Sequence, residues 1–221
     1  VTGDFLYNTS NTTGGAIGNE GSIGNITGDF IGNESQTGGA IGNDGVIKDI
    51  SGNFILNEGS DGGAIANAGE IGDIEGDFVD NHASNQAGAI GNANIIGNIT
   101  GDFIGNSAGS DGGAIVNAGT IENVEGDFVE NSAQTGGALV NIGEITSVKG
   151  NFQSNEAMMG AAVVNTNKIG SITGNFVENT GYISSSVYNM GNIGSIAGDF
   201  INNTSYAVNL YNIGKINSIS G

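Results

Sequence analysis

The sequence predicts an all-β chain wound as a single-stranded parallel β-helix, with about nine coils of 24–25 residues and three short strands per coil. Three observations carry this. A Gly-Asp/Asn-Phe triplet begins at residues 3, 28, 52, 76, 101, 126, 150, 174 and 198, so a unit of 24 or 25 residues fills the chain. Within each unit, short β-branched segments alternate with Gly and Asn, and no helical apolar period lasts beyond a turn. Proline is absent, as expected where every strand is interior to a sheet and needs its N–H.

The first segment of each unit is Asp/Asn-Phe-x-x-Asn. Its Phe recurs in all nine units as Phe5, Phe30, Phe54, Phe78, Phe103, Phe128, Phe152, Phe176 and Phe200. Coils stack about 4.8 Å apart, so nine make a rod of roughly 43 Å. In register, each ring lies over the next, an offset stack worth about 0.5–1.5 kcal/mol beyond burial. The first Asn column is Asn8, Asn33, Asn57, Asn81, Asn106, Asn131, Asn155, Asn179 and Asn203. It is expected to form an amide ladder, each side chain bonding the copies above and below. Asn also tolerates the left-handed backbone of a tight corner.

The second segment, Gly-Gly-Ala-Ile-x-Asn, ends on a second predicted ladder: Asn19, Asn43, Asn67, Asn92, Asn117, Asn141, Asn165, Asn189 and Asn212. The third is Ile-x-x-Ile/Val, its first anchor running from Ile23 to Ile216. The extra residue of the longer units falls between the first Asn and the Gly pair, which marks a surface loop. Residues 1–221 read as one continuous array, an excerpt of a longer one because neither end carries an atypical capping unit.

Composition narrows the function. There is no cysteine, hence no disulfide, thiolate zinc site or iron–sulfur cluster. The four basic residues are all lysines, and a net charge of −19 repels a nucleic-acid backbone. No apolar run is long enough to span a bilayer as a helix, and no signal peptide opens this stretch. Gly does not recur every third residue, which excludes collagen, and nine Phe make the chain too apolar for typical disorder. No cofactor, metal or enzymatic activity is expected.

The triplet's second residue forms a mixed column of Asp4, Asp29, Asp77, Asp102, Asp127 and Asp199 with Asn53, Asn151 and Asn175. A row of calcium sites is one reading. The preferred one is an Asx-turn acceptor, since Asn substitutes freely and carboxylates ~4.8 Å apart repel by about 0.9 kcal/mol even in water. His82, the single histidine, reads as a surface-loop residue. Carboxylate pairs such as Asp73 with Asp77, or Asp111 with Glu130, suit a glycosidase only in principle. A lyase would need a basic residue to abstract the proton and hold an acidic substrate, and four scattered lysines without an arginine argue against it.

Two columns grow larger and more apolar towards the C-terminus. The residue before the second Asn runs from Gly18 through Val116 to Tyr211, and the residue after it from Glu20 through Ile142 to Ile213. Simple drift in the repeat is the preferred reading of this trend; the alternative is a covered or contacting face, for which Tyr182, Tyr188, Met190, Tyr206 and Tyr211 are the candidates. The column after Phe (Leu6, Ile31, Ile55, Val79, Ile104, Val129, Gln153, Val177, Ile201) forms an outward aliphatic strip under strict alternation, or joins the core if a bend intervenes. The bend is the preferred reading.

Phe-x-x-Asn followed by Gly-Gly-Ala-Ile/Leu, plainest at 103–115 and 128–139, resembles the repeat of polymorphic outer membrane proteins and related autotransporter passengers. The resemblance covers essentially the whole chain and weakens in the last three units, where the Gly pair becomes Gly160-Ala161, Ser184-Ser185 and Ala207-Val208. It implies a right-handed β-helix on a Gram-negative surface, exported by a C-terminal barrel and commonly adhesive. The expected partners are a host or neighbouring-cell surface, protein or glycan, or copies of the chain itself. A self-assembling extracellular fibre or sheath is the alternative; a carbohydrate-active enzyme ranks below both.

Overall fold

A computed structural model describes all 221 residues, and it is a β-solenoid without any helix. Three nine-stranded parallel sheets run its length. The first holds the two-residue strands from Phe5–Leu6 to Phe200–Ile201, the second the strands from Ile17–Asn19 to Val208–Asn212, and the third the strands from Ser22–Thr27 to Lys215–Ser220. Registers pair each position with its copy one coil away, such as Phe54 with Phe78, Asn67 with Asn92 and Ile71 with Ile96.

Inside the tube lies one continuous core. Seven Phe from Phe30 to Phe176 are fully buried, against the inward Ala and Ile positions of the second sheet and both aliphatic anchors of the third. Burial of each such side chain is worth about 1.5–3 kcal/mol. All nine rings stack, with centroids 4.7–5.1 Å apart and planes within 10°.

The first Asn column is a closed hydrogen-bond chain. Asn57 Nδ2 donates to Asn81 Oδ1 (2.9 Å) and to the Phe30 carbonyl one coil back (2.9 Å), while its backbone N–H donates to the same Asn81 Oδ1 (3.0 Å). Its own Oδ1 accepts the N–H and Nδ2 of Asn33 (3.0 and 2.9 Å). Two donors and two acceptor sites are thus satisfied on a side chain wholly out of water. The second column is a ladder too, and it ties down a corner. Asn67 Nδ2 lies 2.8 Å from Asn92 Oδ1, 3.1 Å from the Gly69 carbonyl and 2.9 Å from the Ile95 carbonyl.

The left-handed corners are not where Asn was expected to supply them. One set falls at the first residue of the Gly pair, at Gly14, Gly38, Gly62, Ala87, Gly112, Gly136 and Gly160, with φ of 59–68°; the other falls two residues after each Phe, at Tyr7, Gly32, Leu56, Asp80, Gly105, Glu130, Ser154, Glu178 and Asn202, with φ of 51–64°. The ladder Asn follows this residue and keeps an ordinary backbone. Bonds on both sides hold the corner: Leu56 N–H reaches the Val79 carbonyl (3.0 Å) and Asn57 N–H the Asn81 amide. A non-Gly residue here costs roughly 1–2 kcal/mol that those bonds offset. The glycine that opens each triplet has no such freedom. Gly76, for example, has φ of 148°, and a Cβ there would run into the Gly52 carbonyl.

Two further expectations are corrected. The column after Phe is not core: it points outward, half-exposed at Ile31, Ile55, Val79, Ile104, Val129 and Val177 and exposed at Leu6, Gln153 and Ile201, because the bend comes one residue later. The variable segment is not a free loop. A column from Thr9 through Glu34, Glu58, His82, Ser107, Ser132, Glu156 and Thr180 to Thr204 is bridged coil to coil into a fourth, intermittent strip. The register shift between Ala83 and Gln86 sits where the fourth unit is one residue longer than the third.

Replacing Asn106 by Ala orphans the Asn81 N–H, one of the two Asn81 Nδ2 protons and the Phe78 carbonyl, while the other Nδ2 proton keeps the Phe54 carbonyl. It is predicted to cost at least about 3 kcal/mol in urea unfolding. Ser186 takes the inward position of the Ala column, and its hydroxyl is buried without a partner. Ser186→Ala is predicted to stabilise by about 1–3 kcal/mol, read as a raised urea midpoint.

Candidate functional site

The Asp/Asn column runs along the corner that leads into the first sheet. Each side chain caps the backbone of the next coil. Asp29 Oδ1 accepts the N–H of Asn53 (2.8 Å), Asn53 Oδ1 that of Asp77 (3.0 Å), Asp77 Oδ1 that of Asp102 (2.9 Å) and Asp102 Oδ1 that of Asp127 (2.8 Å). The expected Asx turn within one coil is therefore corrected to a bond between coils. Asn serves as well as Asp, which explains the mixed occupancy. No group of three or more His, Cys, Asp or Glu side chains converges in a metal-holding arrangement.

His82 is exposed, on a short strand rather than in a loop. Its Nδ1 lies 2.9 Å from Ser107 Oγ, and its partner on the other side is Glu58. No carboxylate forms an ion pair with His82, so the column Glu58–His82–Ser107 is not linked as a catalytic triad. Asp73 faces outward from the third sheet, where its Oδ1 accepts the N–H and Nδ2 of Asn98 (2.8 and 2.9 Å). Asp77 belongs to the capping column, and Glu130 is one of the left-handed corner residues. Neither carboxylate pair is brought into an enclosed cleft.

Three of the four lysines meet carboxylates on the outer face of the third sheet. Lys168 Nζ lies 3.1 Å from Glu144 one coil below, Lys149 pairs in the same way with Glu125, and Lys48 lies 3.5 Å from Asp49. All are exposed, so each is worth at most about 1 kcal/mol.

The graded column before the second Asn has a structural cause. The segment preceding the Gly pair arches over the outer face of the second sheet. Beneath it, Val116, Val140 and Val164 pack into a small buried cluster with Ala87 and the edge of Tyr188. Where the column holds Ala66 and Gly91, the same overhang leaves a groove of about 260 Å³ between Thr37, Asp61 and Gln86 on one side and Asp44, Ala68 and Ala93 on the other. At Val116, Val140 and Val164 this apolar growth is thus covered by the chain itself, whereas Tyr211 at the end of the column is exposed. The next column is not covered, with Ile142, Met190 and Ile213 exposed.

The tyrosines of the candidate face form two inter-coil stacks. Tyr182 and Tyr206 have centroids 5.0 Å apart, and Tyr188 and Tyr211 4.9 Å. Tyr182 borders an open trough of about 610 Å³ along the fourth strip. Sequence reading missed both groove and trough, because it treated the variable segment as unpaired. The equal spacing of Gln134, Met158, Tyr182 and Tyr206 was the available signal. No family model matches the chain, and neither does any curated protein or solved structure.

Asp102 stands between Asp77 and Asp127 in an unbroken carboxylate run. Asp102→Asn keeps the capping oxygen and is predicted to raise Tm, by more at low salt than at high salt, because each like-charge contact removed is worth about 1 kcal/mol before screening. Calcium titration of the parent chain is predicted to leave Tm unchanged.

Proposed function

We propose that the chain is a structural and adhesive segment of a bacterial cell-surface protein, a β-helical passenger or stalk like those of the polymorphic outer membrane proteins its repeat resembles. The observation that carries this reading is the uniform register. The outward side chains of the three long sheets belong to columns that repeat coil by coil, as the Phe spacing of 4.7–5.1 Å sets it. Such a rod presents one chemistry many times at fixed intervals, so individually weak contacts add by multivalency. The charge of −19 keeps the rod soluble and limits non-specific association. On this reading the chain is not an enzyme, carries no metal or cofactor, and meets a cell surface through side chains rather than by membrane insertion.

A second reading, a self-assembling fibre or sheath, is favoured by the half-exposed aliphatic strip Ile31, Ile55, Val79, Ile104 and Val129. A regular apolar row suits lateral contact between rods.

Beads coated with the purified chain are predicted to adhere to epithelial or bacterial cells, while free chain competes. Absence of adhesion would contradict the first reading. Electron microscopy is predicted to show separate rods at every concentration, whereas fibres or bundles would favour the second.

A further inference from the structure

We propose that the trough on the fourth strip binds a neutral oligosaccharide, with Tyr182 as its stacking platform. This rests on the adhesive reading and names the ligand class and the site. The platform belongs to a column, Gln134–Met158–Tyr182–Tyr206, in which each backbone N–H bonds the preceding residue's carbonyl at 3.0–3.2 Å. Met158, Tyr182 and Tyr206 are 61, 56 and 81% exposed, an apolar ridge that nothing in the chain covers. Tyr206 stacks on Tyr182 from the C-terminal side with planes 6° apart, which fixes the ring. The trough extends towards the N-terminal coils and is bordered by Tyr182 but not by Tyr206. The trough therefore meets the Tyr182 ring from the side of Met158, which stands one coil below it in the same column.

The rest of the trough suits the same ligand. Ala133 and Ala157 give small apolar ground, and Ser132, Gln134, Glu156 and Thr180 supply hydroxyl, amide and carboxylate groups along its length. An apolar ring face beside such donors and acceptors matches a pyranose, which offers C–H on its faces and hydroxyls at its rim. No cation lines the trough, and the rod is strongly negative, so acidic sugars are repelled. The same strip carries its own control. Over the first coils it is lined by Ser10, Glu34, Gln36, Glu58 and Ser84, without any ring.

The intact chain is titrated with cellotetraose, chitotetraose and maltotetraose, with tetragalacturonate as the acidic comparison. Tyrosine fluorescence, free of tryptophan background, and saturation-transfer NMR report binding. At least one neutral tetrasaccharide is expected to bind and tetragalacturonate is not. Affinity is expected to fall at least about tenfold in Tyr182→Ala, and to persist in Tyr182→Phe and Ser84→Ala. Circular dichroism checks that Tyr182→Ala keeps the fold. Binding by no neutral tetrasaccharide, or equal binding by Tyr182→Ala, overturns the site. Adhesion of coated beads without tetrasaccharide binding refutes this site alone, and tetrasaccharide binding without adhesion refutes the cell-surface reading alone.

Discussion

The buried amide column is the constraint on which the rest of the structure depends. A polar side chain placed against a phenylalanine stack costs several kcal/mol unless every donor and acceptor finds a partner. In this fold those partners are the Asn of the next coil, the Asn of the previous coil and the Phe carbonyl of the previous coil. One slip of register would set the amide against a neighbour such as Asp80 or His82 instead of Asn81 and break the ladder. The ladder therefore fixes coil-to-coil register more sharply than the aliphatic contacts, which tolerate Ile, Leu or Val at the same level. The Phe stack supplies burial, and the Asn ladder supplies alignment.

This division of labour explains what the sequence is free to change. The left-handed corner after Phe accepts Tyr, Leu, Asp, Glu, Ser, Asn and Gly because bonds on both sides impose its backbone. The capping column accepts Asp or Asn because only one oxygen is used. The fourth strip absorbs an extra residue because its pairing is intermittent. Variation in chemical type is widest at these outward positions, which are also the positions where a partner would be met.

Sequence periodicity made the coil, the three sheets, the Phe stack and both Asn ladders legible, because each inward position repeats one residue type through nearly all units. The outward features were less legible for a physical reason. Whether Ile55 is core or surface depends on which residue takes the left-handed turn, and Leu56 carries no glycine signal at that turn. Whether Val116 seeks an external partner depends on a segment that arches back over it, and fourth-strip pairing rests on backbone bonds that leave little mark on side-chain chemistry. The small residues of the graded column looked like drift in a repeat, yet Ala66 and Gly91 floor a groove that valines fill further along.

Side-chain amide hydrogen exchange, followed by NMR, tests the central role of the ladder most directly. The Nδ2 protons of Asn33, Asn57, Asn81, Asn106, Asn131, Asn155 and Asn179 are expected to exchange as slowly as the backbone amides of the core sheets, opening only with global or subglobal unfolding. Exposed Asn11 is expected to exchange at the rate of a free amide. Rapid exchange of the ladder protons in the folded chain would show that the column opens independently of the coils, and that it does not hold their register.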